Sequence, residues 1–239
     1  MKLIFKIILP LIILLFNFNC LAKNEKSGKP AQIKKNIAIK LPAPCYNSKV
    51  SLEKALYKRR SIRNYSDDSL SISDVSQIIW AAQGITKKAG GLRTAPSAGA
   101  LYPIELYIAV GKVKGLSQGV YKYNPKSHTI TKILEGDIRD KLSNAALKQN
   151  CIRRGAVNII IVGVYKRTAV KYGKRAEHYV LMECGAVSQN IYLQSCALDL
   201  GTVLVGAFND DALKSILKMP EDEYPLAIMP IGRNIKAGK

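Results

Sequence analysis

The stretch from Arg175 to Phe208 constrains the fold more than any other part of the chain. Val180, Cys184, Val187 and Ile191 recur at helical spacing, and Tyr179, Met182, Ala186, Leu193 and Ala197 form a second apolar face. A helix apolar on more than one side is buried on more than one side. At ~1.5 Å per residue it would span ~35 Å, about the width of a small domain. Gly185 and Ala186, midway along it, leave room for another backbone to approach. The run Leu200-Gly201-Thr202-Val203-Leu204-Val205-Gly206-Ala207-Phe208 that follows is too apolar for a surface loop. Its second glycine lets a backbone N–H come close to something flat or bulky.

Around this centre, the chain divides into three parts. Residues 1–22 have the outline of a secretory signal peptide: Lys2 and Lys6, an apolar run from Ile7 to Phe18, then Cys20-Leu21-Ala22. The run is short and carries Pro10, which argues against a permanent membrane span; a retained anchor or a lipid on Cys20 is the alternative. Residues 23–44 read as a linker, lysine-rich and then extended through Leu41-Pro42-Ala43-Pro44. The remainder, 45–239, is long enough for one substantial core. These features predict an exported protein, periplasmic or extracellular, with membrane anchoring through the N-terminal segment as the variant.

Composition excludes several chemistries. The formal charge is +20, and the first 40 residues hold eight lysines and one glutamate, leaving +13 on the rest. The basic residues are scattered and no nucleic-acid motif accompanies them, so a basic surface or an anionic ligand or envelope partner is expected, and no nucleic acid. The five cysteines (Cys20, Cys45, Cys151, Cys184, Cys196) include no CxxC pair, and the two histidines, His128 and His178, have no metal-ligand spacing. No metal is expected, and neither zinc chemistry nor a Ser-His-Asp triad.

Read in order, Ser51 caps a short helix that runs into Arg59-Arg60-Ser61-Ile62-Arg63. Three guanidiniums and a hydroxyl make either a solvated face or a fork for a phosphate. Ser71 starts a second helix with Val75, Ile78, Ile79 and Ala82 on one stripe and Gly84 at its end. Thr86 to Arg93 reads as a mobile loop. The small-residue loop Ala95-Pro96-Ser97-Ala98-Gly99-Ala100-Leu101-Tyr102-Pro103 suits either a tight packing turn or a backbone laid against a ligand edge. Ile104–Val110 reads as a strand, Val120–Tyr123 and Thr129–Ile133 as a hairpin. Gly136–Lys148 reads as a helix, Val157–Val164 as a central strand, Asn209 as a helix cap, and 225–231 as the last strand. The expected class is α+β, a sheet flanked by helices.

Together these motifs resemble the FMN-dependent nitroreductase superfamily, specifically its SagB-type (ThcOx-like) dehydrogenase branch. The resemblance rests on Leu-Pro-Ala-Pro at 41–44, Arg-Arg-Ser-Ile-Arg at 59–63 and Trp-Ala-Ala-Gln-Gly at 80–84, followed by the 95–103 loop and the 200–208 run. It implies a nitroreductase-like fold, with a mixed, mainly antiparallel central sheet and the long helix buried at a homodimer interface. It further implies two FMN sites shared between subunits, with NAD(P)H as an electron donor. Arg59, Arg60, Ser61 and Arg63 would hold the phosphate and ribityl chain, and Arg233 would be a second phosphate ligand. Pro96, Ser97, Ala98 and Gly99 of the other subunit would face the ring. Val205 and Gly206 would lie by the reactive flavin nitrogen, with the Gly206 amide as donor, and Gln149 near the pyrimidine edge. Lys171-Tyr172 looks like the lysine–tyrosine pair of the SagB branch. That makes it either a proton acceptor in catalysis or a plain helix-entry pair. Ala186 stands where related sequences tend to carry histidine. The implied activity is two-electron hydride transfer to or from a small-molecule or peptide-like substrate. Export makes soluble NAD(P)H scarce, which points to oxygen, a quinone or an envelope electron-transfer partner.

Overall fold

The computed structural model describes residues 38–235; the signal-like segment and most of the linker lie outside the described residues. In chain order the elements begin β1 (Ala38–Lys40), α1 (Leu52–Lys58), β2 (Leu70–Ser71), α2 (Ile72–Gln83), β3 (Ile85–Lys87) and β4 (Leu92–Arg93). They continue with β5 (Ile104–Val110), β6 (Val113–Lys114), β7 (Gly119–Asn124), β8 (Thr129–Glu135), α3 (Arg139–Ala145), α4 (Asn150–Arg154) and β9 (Val157–Gly163). The chain then runs through α5 (Tyr165–Tyr172), α6 (Ala176–Ala197), β10 (Leu200–Thr202), α7 (Asp210–Leu217) and β11 (Tyr224–Arg233). Among the described residues no helix is long and apolar enough to cross a membrane.

Seven strands form one sheet in the order β1-β8-β7-β5-β9-β11-β10, antiparallel at every pairing. Central β9 shows why its sequence is apolar without alternation. Val157, Ile159 and Ile161 pack into the core on one face of the sheet, against Val180, Cys184, Val187 and Ile191 of α6. Ile160 and Val162 pack into the core on the other, with Leu142 of α3, Ile152 of α4 and Leu213 of α7. A side chain of this size buried from water contributes about 1.5–3 kcal/mol, so a strand lined on both faces anchors the two layers together.

Local chemistry sets the helix ends as expected. Ser51 accepts from the Lys54 amide, and Asn209 from the Ala212 amide. Ser71 and Asp74 close a capping box at the start of α2. Gly84 ends that helix under the Trp80 ring, where an added Cβ would sit 2.1 Å from Trp80 Cδ1.

Several expectations are corrected. Residues 38–40, read as linker, are the edge strand β1, with Ile39 opposite Ile130; three residues are too few for periodicity to show. Behind the strand, His128 contacts the Pro42 carbonyl at 3.0 Å and the Ser76 hydroxyl at 2.9 Å, fixing Leu41 and Pro42 in place. The 86–93 loop is a hairpin, β3 with β4, turning through Gly90 (φ 84) and Gly91 (φ 63). It is tied to α2 by Arg93 Nη1 donating to Gln83 Oε1 and Thr94 Oγ1 donating to the Trp80 carbonyl. The helix read at 136–148 spans only Arg139–Ala145; Leu147 and Lys148, both at positive φ, follow its end, and the chain resumes as α4. The helix α5 carries no sustained apolar stripe that the sequence would reveal. Finally, α6 is buried on one side only within the chain. Met182 is 61% exposed, Leu181 50%, and a Cβ on Gly185 would meet nothing.

Candidate active site

The Arg59–Arg63 segment leaves α1 extended and is laid along the β10–β11 edge. The Ile62 amide donates to the Thr202 carbonyl at 2.9 Å, and the Ser66 amide to the Arg233 carbonyl at 3.0 Å. This pairing brings the arginine segment beside the chain that leads from Thr202 to Leu204. Tyr192, on α6, completes the junction: its hydroxyl lies 3.0 Å from Ser61 Oγ and accepts from the Leu204 amide at 2.8 Å. The Arg59 guanidinium lies 5.2 Å from the centre of the Tyr192 ring. Arg59, Arg60, Tyr192 and Thr202 line one cleft of about 420 Å³.

Beyond Leu204 the backbone makes a two-way bridge, with Val205 N donating to Ile228 O and Ile228 N to Val205 O, both at 2.9 Å. Val205 is buried by that bridge. Gly206 is exposed, its N–H has no partner in the described chain, and a Cβ there would meet nothing within 4 Å. Gln149, at the start of α4, donates through Nε2 to the Ala207 carbonyl at 3.1 Å. Arg63 lies within electrostatic reach of Cys151 and Tyr65. Arg60 Nη1 turns back onto the Tyr57 and Arg59 carbonyls at the end of α1. None of the three guanidiniums is ion-paired to a carboxylate among the described residues.

Arg233 is placed differently. Its Nη2 donates to Asp74 Oδ2 at 3.0 Å, in a neighbouring cleft that shares Asp199 and Asn234 with the Arg59 cleft. The carboxylate that caps α2 thus holds one arm of the guanidinium away from the Arg59 cluster.

A second cluster forms around the 95–103 loop. Gly99 turns at φ 61, and a Cβ there would come 3.1 Å from the Tyr172 hydroxyl and 3.2 Å from Lys171 Nζ. Lys171 and Tyr172 end α5, which Gly173 terminates at φ 52, ψ −134, a conformation that favours glycine. Tyr172 also packs on Tyr179 of α6 at 4.8 Å between ring centres. Glu183, buried on α6, fixes the loop: Oε1 accepts from Ser97 Oγ at 3.0 Å and from the Ala98 amide at 2.9 Å. The Ser97 hydroxyl in turn accepts from the Tyr102 amide. Burial pushes the Glu183 carboxyl above the ordinary carboxylate range, while the Ala98 amide, the Ser97 hydroxyl and Arg93 pull it partway back. Pro96 stays exposed at the loop's entry.

The structure therefore gathers the predicted residues into two groups. Arg59, Ser61, Val205, Gly206 and Gln149 form one, with Arg60 and Arg63 at its edge and Arg233 beside it. Pro96 to Gly99 with Lys171 and Tyr172 form the other. Each group is tied to α6 by a residue that sequence reasoning missed, Tyr192 and Glu183. These two are nine positions apart, about 13 Å along the axis and about half a turn around it. One signal was available for Glu183: an acid among the buried-face positions Val180, Cys184 and Val187. Nothing in the sequence distinguished Tyr192. Among the described residues no group of three His, Cys, Asp or Glu side chains is placed to hold a metal ion.

This fold and sequence match the nitroreductase family over residues 56–233, and the chain belongs to that family of oxidoreductases. It is 46% identical over 187 residues, covering 78% of this chain and 93% of the relative, to a Methanocaldococcus jannaschii protein named "Putative nitroreductase MJ1384". A solved structure from Ralstonia eutropha, described in the same words, superposes with a TM-score of 0.74 at 27% identity, covering 84% of this chain and 90% of that one. A third relative, the trifolitoxin operon protein TfxC of Rhizobium leguminosarum bv. trifolii, is 23% identical over 192 residues, covering 74% of this chain and 54% of its own length.

Proposed function

We propose that the chain is an FMN-dependent oxidoreductase of the SagB type, acting as a homodimer on a small-molecule or peptide-like substrate. The observation that carries the reading is the junction at Tyr192, which joins the arginine segment to the backbone leading to the free Gly206 amide. The donor set fits the cofactor. Guanidiniums without carboxylate partners suit a phosphate, and an open amide at a residue with no side chain suits close approach of a ring. Arg59, Arg60, Ser61 and Arg63 would hold the phosphate and ribityl chain, and Gln149, Val205 and Gly206 the ring. Arg233 would join them through the guanidinium nitrogens that Asp74 leaves free. FMN, when bound, supplies two-electron hydride chemistry, with NAD(P)H, general in this family, as a donor.

The chain's own residues orient and protect. The Gly206 amide presents a fixed donor, and the arginines set a positive field that favours an anion. Lys171 and Tyr172, against Gly99, hold or move a proton for substrate. Their contact with the loop and the likeness to TfxC support the SagB branch over plain nitro or quinone reduction.

The two groups are anchored about half a turn and about 13 Å apart on one helix, which supports a ring site completed by two chains rather than one. The uncovered Leu181, Met182 and Gly185 surface of α6 supports a second copy that brings Pro96–Gly99 of one chain to Gly206 of the other. The signal-like segment supports export, and with it oxygen, a quinone or an envelope protein as electron partner. A visible spectrum of the purified protein tests the reading, followed by anaerobic NADH and NADPH titration. Flavin absorbance is expected, and Arg59→Ala with Arg63→Ala is expected to abolish it. Wild-type flavin occupancy in that double variant would refute the phosphate assignment.

A further inference from the structure

A third cleft, of about 750 Å³, adjoins Leu101 and Tyr102 at the far end of the small-residue loop and belongs to neither group above. The β3–β4 turn, the β7–β8 turn and the first part of α5 surround it. Four cations line it, Arg93, Lys122, Lys126 and Arg167, against one carboxylate, Glu105. Two cations are already neutralised: Arg167 pairs with Glu105, and Lys122 with the buried Glu223. Arg93 and Lys126 have no carboxylate within ion-pair distance among the described residues.

Arg93 is the unusual one. Its guanidinium lies 4.5 Å from the centre of the Tyr102 ring, and Nη1 donates to Gln83 Oε1 at 2.6 Å. Its Nε is buried and has no hydrogen-bond partner. Desolvation is the main cause of a pKa held below the ordinary guanidinium value. A half-buried cation with an idle N–H, and with Glu105 and Glu183 near it but no carboxylate within ion-pair distance among the described residues, is costly to maintain. An anion in the cleft beside the guanidinium would add the counter-charge that no ion pair supplies, and planar guanidinium recognises carboxylate and phosphate alike. Leu101, Pro125 and Ile133 give the wall an apolar part, beside the polar Asn124 and Thr131.

We propose that this cleft binds a small organic anion whose carboxylate or phosphate head pairs with Arg93 and whose apolar body lies against Leu101, Pro125 and Ile133. Lys126, exposed at the rim, adds long-range attraction. The occupant bears on the loop next to it. The Arg93 amide donates to the Tyr102 hydroxyl, and Arg167 Nη1 donates to the Tyr102 carbonyl. The proposal stands independently of the flavin reading.

Calorimetric titration of the purified chain at low salt, with sodium benzoate and separately with phenyl phosphate, tests it. Binding of at least one probe is expected, and the tighter one identifies the head group. Arg93→Gln is expected to weaken binding about tenfold, the value of one charge-assisted hydrogen bond. Lys126→Glu is expected to weaken it about threefold, and added salt to weaken it further. Arg59→Ala, which removes a proposed flavin ligand, is expected to leave probe binding unchanged. Failure of both probes, or unchanged affinity in a folded Arg93→Gln, overturns the proposal, as does loss of probe binding in Arg59→Ala. Should Arg93→Gln not fold, Lys126→Glu decides: unchanged affinity there also overturns it.

Discussion

Tyr192→Phe isolates the hydroxyl that joins the two parts of the proposed flavin half-site. The substitution keeps the ring and its contact with Arg59 but removes an oxygen 3.0 Å from Ser61 Oγ and 2.8 Å from the Leu204 amide. Both partners are exposed in the chain, so water replaces the lost bonds and the stability cost is the net value of a hydrogen bond, about 1 kcal/mol. For a domain of this size that lowers Tm by about 2–4 °C. Flavin affinity should suffer more than stability, because a bound ring excludes that water and the Leu204–Gly206 backbone loses its fixed position. About 1–1.5 kcal/mol of lost binding corresponds to a five- to tenfold rise in Kd. Tyr192→Leu also removes the cation–π contact, about 0.5–1 kcal/mol, and should raise Kd a further two- to fivefold. Fluorescence titration of apo-protein with FMN, beside a thermal melt, measures both effects. A melting shift in Tyr192→Phe with no change in FMN affinity would refute the reasoning, since the hydroxyl would then hold only the fold.

Glu183→Gln should flatten the pH dependence of stability. Its carboxyl is raised by burial, so its contribution is fully present below the ordinary carboxylate value and is lost as pH rises through the raised one. The stability of wild type relative to Glu183→Gln should therefore fall as pH rises above the ordinary carboxylate value, as measured by urea unfolding. Met182→Lys changes a residue 61% exposed on α6, so the monomer fold should survive while a dimer weakens by tenfold or more in sedimentation. A dimer of unchanged affinity would remove this face from the interface. In thiol labelling near neutral pH, exposed Cys45 should react quickly. Cys184, buried and pushed up to about 11 by desolvation, should react only on unfolding. Rapid labelling at Cys184 would show that α6 leaves its core contacts.

Much of the molecule is decided locally and could be read without coordinates. Ser51, Ser71 and Asn209 cap helices because a side-chain oxygen within three residues satisfies an otherwise orphaned amide. The strands 104–110 and 157–163 are legible because strands buried on both faces are apolar at most positions, Glu105 and Asn158 apart. The arginine segment, the small-residue loop and Gly206 stand out because few residue types suit phosphate or the close approach of a backbone. Tertiary structure alone decided the rest. Three-residue β1 and the β3–β4 hairpin take their form from partners distant in sequence or from side-chain ties, as with Ile39 opposite Ile130. Tyr192 meets Ser61 across 131 positions, and Glu183 meets Ser97 across 86, so no local pattern announces either contact. Arg233 looked equivalent to the other arginines until Asp74 took one of its arms. Composition and spacing name the groups able to do chemistry; which of them meet depends on chain-distant packing that only the folded sheet brings about.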